Sequence, residues 1–181
     1  AASDVYKRQD VYEAPQKDHN YLITVDVARG LGNDYSAFIV FDITNFPYKA
    51  VAKYRNNEIK PMLFPSIIAD IGKAYNKAFI LCEVNDIGDQ VASILNYDLE
   101  YDNLLMCSQR GRAGQVVGAG FSGKRSQLGV RTTAAVKKLG CSNLKTLLED
   151  DKILIIDYDI ISELTTFSQK HNSFEAEEGC N

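Results

Sequence analysis

Two acidic residues lie where buried strands are predicted to end. Asp26 follows the apolar run at residues 21–25, and Glu83 follows the apolar run at residues 78–82. Each run lacks polar alternation, so each carboxylate is expected to lose hydration, which is costly unless a cation compensates. Lysine or arginine could compensate as well as a metal ion, and both acids could instead lie in solvent. Two such strand ends in one chain favour a shared site for divalent cations.

The available ligand types indicate which cations this site would bind. Oxygen ligands favour Mg²⁺ or Mn²⁺ over Zn²⁺, and two ions would suit activation of water and stabilisation of a leaving oxygen. The only histidines, His19 and His171, lie towards the ends of the chain, which argues against a histidine general base. Asp34 could lie beside Asp26 across a hairpin, although aspartate is also an ordinary turn residue.

A glycine-rich, basic segment follows later in the chain. Residues 118–125 nearly match the phosphate-binding loop G-x-x-x-x-G-K-[ST], but Arg125 occupies the last position and no firm strand precedes it. A mobile hairpin that carries Lys124 and Arg125 is the better interpretation. Further basic side chains follow: Arg131, Lys137 and Lys138. All five suit contacts with a DNA backbone, and the alternative for the helical ones is a solvated helix face.

Composition limits the class of protein. The 181 residues suit one domain, with hydrophobic and charged fractions of 45% and 24% that are typical of globular proteins. A net charge of −4 does not indicate nucleic-acid binding unless basic charge is concentrated locally. The four cysteines form no Cys-x-x-Cys pair, and neither a membrane span nor a signal peptide is recognisable. We therefore expect a soluble, cytoplasmic protein without zinc, disulfides or a membrane partner.

The first part of the chain is predicted to form strands only after a polar tail. Residues 1–20 lack periodicity, so we expect a disordered tail, and the opening AASDVYKRQ resembles translated sequencing-adaptor sequence, an artefact. Strands are predicted at residues 21–27, 37–41 and 49–55. The short links between them predict an antiparallel meander.

The rest of the chain alternates between helix and strand. Helical spacing begins near Phe64, Ile87 and Val136, and again at residues 159–167. Strands are predicted at residues 78–83, 104–107 and 153–156, a last extended segment at 171–181, and an irregular loop or flexible hairpin at 108–130. This order predicts an α/β fold over residues 21–181: a mixed sheet, with a three-strand antiparallel meander plus parallel strands, flanked by helices in the RNase H-like layout.

Four short motifs in this order resemble the nuclease domain of the large terminase subunit of tailed, myovirus-type bacteriophages. They lie at residues 25–35, 83–85, 139–145 and 176–179. The similarity extends from about His19 to Asn181.

The resemblance implies an RNase H-like nuclease that cuts concatemeric DNA during genome packaging with three metal-binding acids. Asp26 resembles the first acid, Glu83 the second, and Asp34 an auxiliary acid of the first motif. The third acid is expected beyond Asn181, so the chain resembles a fragment truncated at its C-terminus and lacking the preceding ATPase domain. We do not expect Glu177 or Glu178 to replace it. Double-stranded DNA, the portal and the small terminase subunit are the implied partners, in the host cytoplasm.

Three other functions stay open at this point. The chain could be a catalytically incomplete DNA-binding fragment, since the third acid is missing. Residues 118–124 could bind a nucleotide, although the imperfect motif argues against it. A Holliday-junction resolvase would share the fold and the acids, but the packaging-type motifs favour the terminase.

Overall fold

The structure, a computed structural model, describes residues 8–109, 115–118, 126–170 and 173–176. Its strands in chain order are β1 (Gln9–Val11), β2 (Tyr21–Asp26), β3 (Ser36–Asp42), β4 (Tyr48–Asn56), β5 (Phe79–Cys82), β6 (Met106–Gln109), β7 (Gln115–Gly118), β8 (Ser126–Leu128), β9 (Ile153–Leu154), β10 (Phe167–Lys170) and β11 (Ser173–Ala176). Its helices are α1 (Phe64–Ala74), α2 (Gly88–Ser93), α3 (Ala134–Glu149) and α4 (Tyr158–Thr166). A π-helical turn, Ile94–Asp98, continues α2.

A six-stranded mixed sheet forms the centre of the fold. Its order is β1-β4-β3-β2-β5, and β9 pairs with the far end of β4. Strands β2, β3 and β4 form an antiparallel meander, whereas β5 runs parallel to β2 and β9 runs parallel to β4. The predicted meander and mixed sheet are therefore confirmed.

From residue 8 onward, the N-terminal segment is ordered against the sheet and does not form the expected tail. Strand β1 pairs antiparallel with β4, with Gln9 opposite Tyr54. The following residues continue this attachment, since the backbone N–H groups of Tyr12 and Glu13 both donate to the Val51 carbonyl. The prediction of disorder over residues 1–20 is therefore wrong from residue 8 onward. The polar composition of this segment does not reveal the edge strand, because an edge strand buries few side chains and therefore shows little apolar periodicity.

Helices cover both faces of the sheet. Phe38 and Tyr54, paired on β3 and β4, stack with Phe64 of α1 at ring-centroid distances of 5.2 to 6.1 Å. These three rings are buried at the centre of the core. Ile160 of α4 instead lies near Lys53 and Ile39, whose side chains point to the opposite face.

A second, three-stranded sheet has the order β7-β6-β8. Its strands β7 and β8 lie within residues 108–130, where an irregular loop or flexible hairpin is predicted, and the antiparallel pairing of β6 with β7 agrees with the hairpin. This sheet adjoins the end of β5, because Val130 forms a parallel bridge with Glu83. Lys124 and Arg125 lie outside the described residues. No helix within the described ranges is long and apolar enough to cross a membrane.

Candidate metal centre

Strand register brings Asp26 and Glu83 to the same edge of the sheet. Val25 of β2 and Cys82 of β5 are partners in a parallel pair, so the next residues on both strands lie side by side. The Glu83 backbone N–H donates to the Val25 carbonyl at 2.9 Å, which extends the pairing to the acids themselves. Asp26 and Glu83 also border a common cavity of about 260 Å³.

The two carboxyl groups interact strongly enough to change the protonation of Asp26. The pKa of Asp26 is raised to about 6. Loss of hydration is the largest cause of this rise, and the charge of Glu83 is the next largest. By accessible surface, however, Asp26 is exposed at the end of β2. The geometry therefore supports repulsion from Glu83 as the more direct cause. Two adjacent carboxylates without a cation resist simultaneous ionisation.

Asn85 holds the carboxylate of Glu83. Its Nδ2 group donates to Glu83 Oε1 at 2.9 Å and to the Thr132 carbonyl at 3.2 Å. The amide therefore links Glu83 to the segment that leads into α3. Such a bond restricts the carboxylate orientation, as outer partners of metal ligands commonly do.

Backbone packing fixes the position of Glu83 from two sides. A Cβ atom at Gly88 would lie 2.0 Å from the Glu83 carbonyl oxygen. A Cβ atom at Gly129, whose φ is +72°, would lie 2.2 Å from the carbonyl oxygen of Cys82. Because no side chain fits at either position, main chain packs directly against the end of β5.

The loop between β2 and β3 carries Asp34 and is anchored at several points. Ser36 Oγ accepts a hydrogen bond from the Ala28 N–H at 3.0 Å. Arg29 donates two hydrogen bonds to the carboxylate of Asp86, at 2.8 and 2.7 Å. The charge of Asp34 contributes to the raised pKa of Asp26, as the smallest of its causes. Asp34 thus acts electrostatically on Asp26.

The predicted basic residues differ in their relation to this pair. Arg131 directly follows Val130, which lines the cavity shared by the two acids. Lys137 lies on α3 with its Nζ 5.7 Å from the Phe167 ring centroid, and Lys138 is exposed on the same helix. No described contact joins either lysine to the acids. Their predicted role in DNA binding stays a prediction.

The donor set at this edge suits a hard divalent cation. Two carboxylates repel each other, and one of them is held by an amide. They provide oxygen ligands and an excess of negative charge that a cation would neutralise. Among the residues that the structure describes, no three His, Cys, Asp or Glu side chains form a group that could hold a metal. The described chain thus supplies a pair of acids, with Asp34 near them.

Sequence reasoning missed several residues around the acids. Asn85 belongs to the motif at residues 83–85 without a predicted role, and no sequence pattern indicates the Arg29–Asp86 pair. Arg55 is not predicted to lie near the acids either. The available signal was its alternation with Lys53 along β4, which indicates one sheet face with two cations.

Comparison with known proteins gives the family of this chain. A family model described as the terminase RNase H-like domain matches residues 23–181. The large terminase nuclease of thermophilic phage G20c with bound magnesium superposes with a TM-score of 0.71 at 19% identity, over 95% of this chain and 79% of that one. Its cobalt-bound form gives 0.69 at 21% identity, over 94% and 79%. The large terminase nuclease domain of Thermus phage P74-26 gives 0.68 at 20% identity, over 96% and 78%.

At these identities the superpositions establish a shared fold, and the family model extends over most of the chain. The protein therefore belongs to the terminase RNase H-like domain family.

Proposed function

We propose that this chain is a metal-dependent DNA endonuclease domain of a phage large terminase subunit, which cuts concatemeric DNA during genome packaging. The carrying observation is the convergence of Asp26 and Glu83, whose interacting charges raise the pKa of Asp26. Family membership supports the activity. The G20c nuclease, which shares the fold, has been crystallised with magnesium, cobalt and zinc, and this supports the use of divalent cations.

In the proposed mechanism, Asp26 and Glu83 would hold Mg²⁺ or Mn²⁺, with Asp34 as an auxiliary acid. The chemistry that two such ions supply is activation of a water nucleophile and stabilisation of the leaving oxygen. Asn85 keeps the Glu83 carboxylate oriented towards the shared cavity, and the Arg29–Asp86 pair restrains the loop that carries Asp34. Double-stranded DNA is the proposed substrate, and the portal and small terminase subunit are the proposed partners in packaging.

A plasmid-nicking assay tests this proposal directly. Supercoiled DNA is incubated with the chain in Mg²⁺, in Mn²⁺ or in EDTA, and relaxed product is quantified. We expect cation-dependent nicking that falls to the EDTA level in Asp26→Asn and in Glu83→Gln, because each change removes a ligand charge. Asp70→Asn, an exposed acid on α1, is the matched control and should nick normally. Undiminished nicking by either site variant would refute the assignment.

A second candidate function is DNA binding without cleavage. It is favoured by the finding that the described residues hold no group of three potential metal ligands. Salt-sensitive DNA binding by the parent chain, with no nicking in either cation, would support this alternative over the nuclease.

A further inference from the structure

Arg55 shares a row of the sheet with Asp26. Asp26 pairs with Ala37 on β3, and Ala37 pairs on its other side with Arg55 on β4. Directly opposed residues project to one face of a sheet, so the acid and the guanidinium stand on the same face with alanine between them. Their Cα atoms are separated by two strand spacings, roughly 10 Å. The short Ala37 side chain leaves the space between them open.

This space is part of a cavity of about 560 Å³, which Asp26, Asp34 and Arg55 line. Tyr35 forms part of its wall and is 40% exposed. The Arg55 guanidinium lies over the Tyr35 ring, 3.9 Å from the ring centroid. Stacking of this kind holds the guanidinium plane without using its N–H donors.

Among the described residues, three cations line this cavity, and they differ in how their donors are used. Arg29 makes two directed hydrogen bonds to Asp86. Lys53 is buried and lies 2.8 Å from Asp157 and 3.0 Å from Asp159.

Arg55 is engaged in a different way. Its Nη1 approaches Glu163 Oε1 at 3.2 Å, and the Arg55 side chain is 32% exposed. Within the described chain, no directed hydrogen bond engages the Arg55 guanidinium. Its planar set of donors is therefore positioned by Tyr35 and Glu163 and remains available to a ligand.

A structural role for Arg55 is the competing explanation, because its ion pair with Glu163 joins β4 to α4. That role alone does not account for the stacked guanidinium beside the open space that leads to Asp26. Planar donors of arginine match the oxygens of a phosphodiester, whereas a purely structural pair would direct them at the carboxylate.

We propose that Arg55, supported by Tyr35, binds a backbone phosphate of the nucleic-acid strand next to the Asp26–Glu83 site. Glu163 holds the guanidinium in place when no strand is bound and gives way to the phosphate. This inference rests on the proposed function, since it assigns a neighbouring phosphate subsite to the same substrate. Arg55 is thus a positioning residue that sets where the strand lies relative to the acids.

The test is DNA binding without cleavage. Fluorescence anisotropy with a short labelled duplex, in EDTA over a range of salt concentrations, compares the parent chain with Arg55→Ala, Arg55→Lys, Glu163→Gln and Lys73→Ala. Lys73 is an exposed cation in the last turn of α1, on the other face of the sheet. Circular dichroism melting confirms that each variant is folded.

We expect Arg55→Ala to weaken binding about tenfold, the value of one charge-assisted contact. The slope of log affinity against log salt should become shallower by about 0.9. Arg55→Lys should show an intermediate loss, since it keeps the charge but not the planar fork. Lys73→Ala should change little. Glu163→Gln should strengthen binding about twofold, because the competing carboxylate is gone.

Two results with the variants would overturn the subsite. If Arg55→Ala and Lys73→Ala weakened DNA binding equally, Arg55 would contribute only its positive charge and no specific contact. Weaker binding in Glu163→Gln would make the ion pair a structural link. Binding that depends on Arg55, without nicking by the parent chain in Mg²⁺ or Mn²⁺, would sustain the subsite and contradict the nuclease. Failure of the parent chain to bind DNA at all would contradict both.

Discussion

At the scale of single residues, the adjacent carboxylates of Asp26 and Glu83 repel each other, and this repulsion destabilises the fold. Asp26 and Glu83 lie on adjacent parallel strands, and the backbone bond from Glu83 to Val25 leaves their separation little freedom. Functional sites commonly retain such unfavourable arrangements because a ligand relieves them. A cation-free fold should therefore be less stable than the same fold with one carboxylate neutralised.

Replacement of Asp26 by asparagine tests this cost. Because the pKa of Asp26 is raised to about 6, the folded state retains a proton that the unfolded chain releases near its ordinary value of 3.8. Stability thus falls as pH rises through this window, and the full penalty is present at pH 7. We expect Asp26→Asn to raise the free energy of unfolding at pH 7 by about 1 kcal/mol, a value reduced by solvent screening of the exposed Asp26 side chain.

Urea unfolding in EDTA at pH 7 and pH 4 measures the effect. The gain should be much smaller at pH 4, where the folded parent chain holds the proton and the unfolded chain, with its ordinary carboxyl pKa of 3.8, still holds it in part. Asp70→Asn serves as control and should be neutral at both values. A destabilised Asp26→Asn variant at pH 7 would contradict the argument.

Sequence patterns identified the acids but not their surroundings. Asp26 and Glu83 could be predicted because each ends an apolar run, a local feature of the chain. Asn85 and Arg55 could not, because their relevance depends on the parallel pairing of β5 with β2 and on the register across Ala37. Strand register depends on contacts between distant segments, which periodicity does not encode.

At the scale of elements, α4 is fixed to the sheet by charge. None of its residues is buried. Its N-cap Asp157 accepts a hydrogen bond from the Ile160 N–H at 2.8 Å and pairs with buried Lys53 at 2.8 Å. Burial opposes ionisation of Asp157, but hydrogen bonds from Lys53 and Tyr12 outweigh it and lower its pKa to about 2. Asp157 thus caps α4 and also neutralises the buried charge of Lys53 on β4.

Asp157→Ala should be strongly destabilising. Loss of the cap, together with removal of the closest partner of a buried lysine, is expected to cost about 3 kcal/mol at pH 7. Asp159→Ala, which removes the 64% exposed partner of the same lysine, should cost less than about 1 kcal/mol. Urea denaturation followed by circular dichroism measures both.

The pH dependence follows from the lowered pKa of Asp157. Its contribution is complete above the ordinary aspartate value of 3.8 and is lost as pH falls towards about 2. The difference between parent and Asp157→Ala should therefore be smaller at pH 3 than at pH 7. An equal difference at both values would indicate that packing, rather than charge, accounts for the loss.

Helices were easier to predict than edge strands for a physical reason. Helix α1 buries one continuous apolar stripe that includes Phe64 and Ile68, and Pro65 suits its first turn, where no N–H partner is needed. Strand β1 buries almost nothing, since Val11 is 54% exposed, and backbone bonds to β4 hold it. A segment held by main-chain bonds leaves no hydrophobic pattern to detect.

At the scale of the whole molecule, the N-terminal segment ties distant parts together. Tyr12 donates a hydrogen bond to Asp157 at the start of α4. The Glu13 carbonyl accepts a hydrogen bond from the hydroxyl of buried Tyr75, which follows α1. One short segment therefore contacts both helical layers and the edge of the sheet.

Deletion of residues 1–13 should lower stability by roughly 2 to 3 kcal/mol, because it removes the β1 ladder and leaves the Tyr75 hydroxyl without its described acceptor. Deletion of residues 1–7 keeps all of these contacts and is the control. Thermal melts of the two truncated chains against the parent measure the difference. Equal melting temperatures for the two truncations would contradict the assigned role of this segment.

The main-chain packing of Gly88 and Gly129 against the end of β5 bears on how such a protein can evolve. Peptide backbone, which every residue type shares, determines where Glu83 stands. Mutations elsewhere in the helices can then accumulate without relocating the acid, provided that these two glycines persist. This tolerance agrees with the shared architecture of the phage G20c and P74-26 nucleases, which match this chain at only 19% and 20% identity.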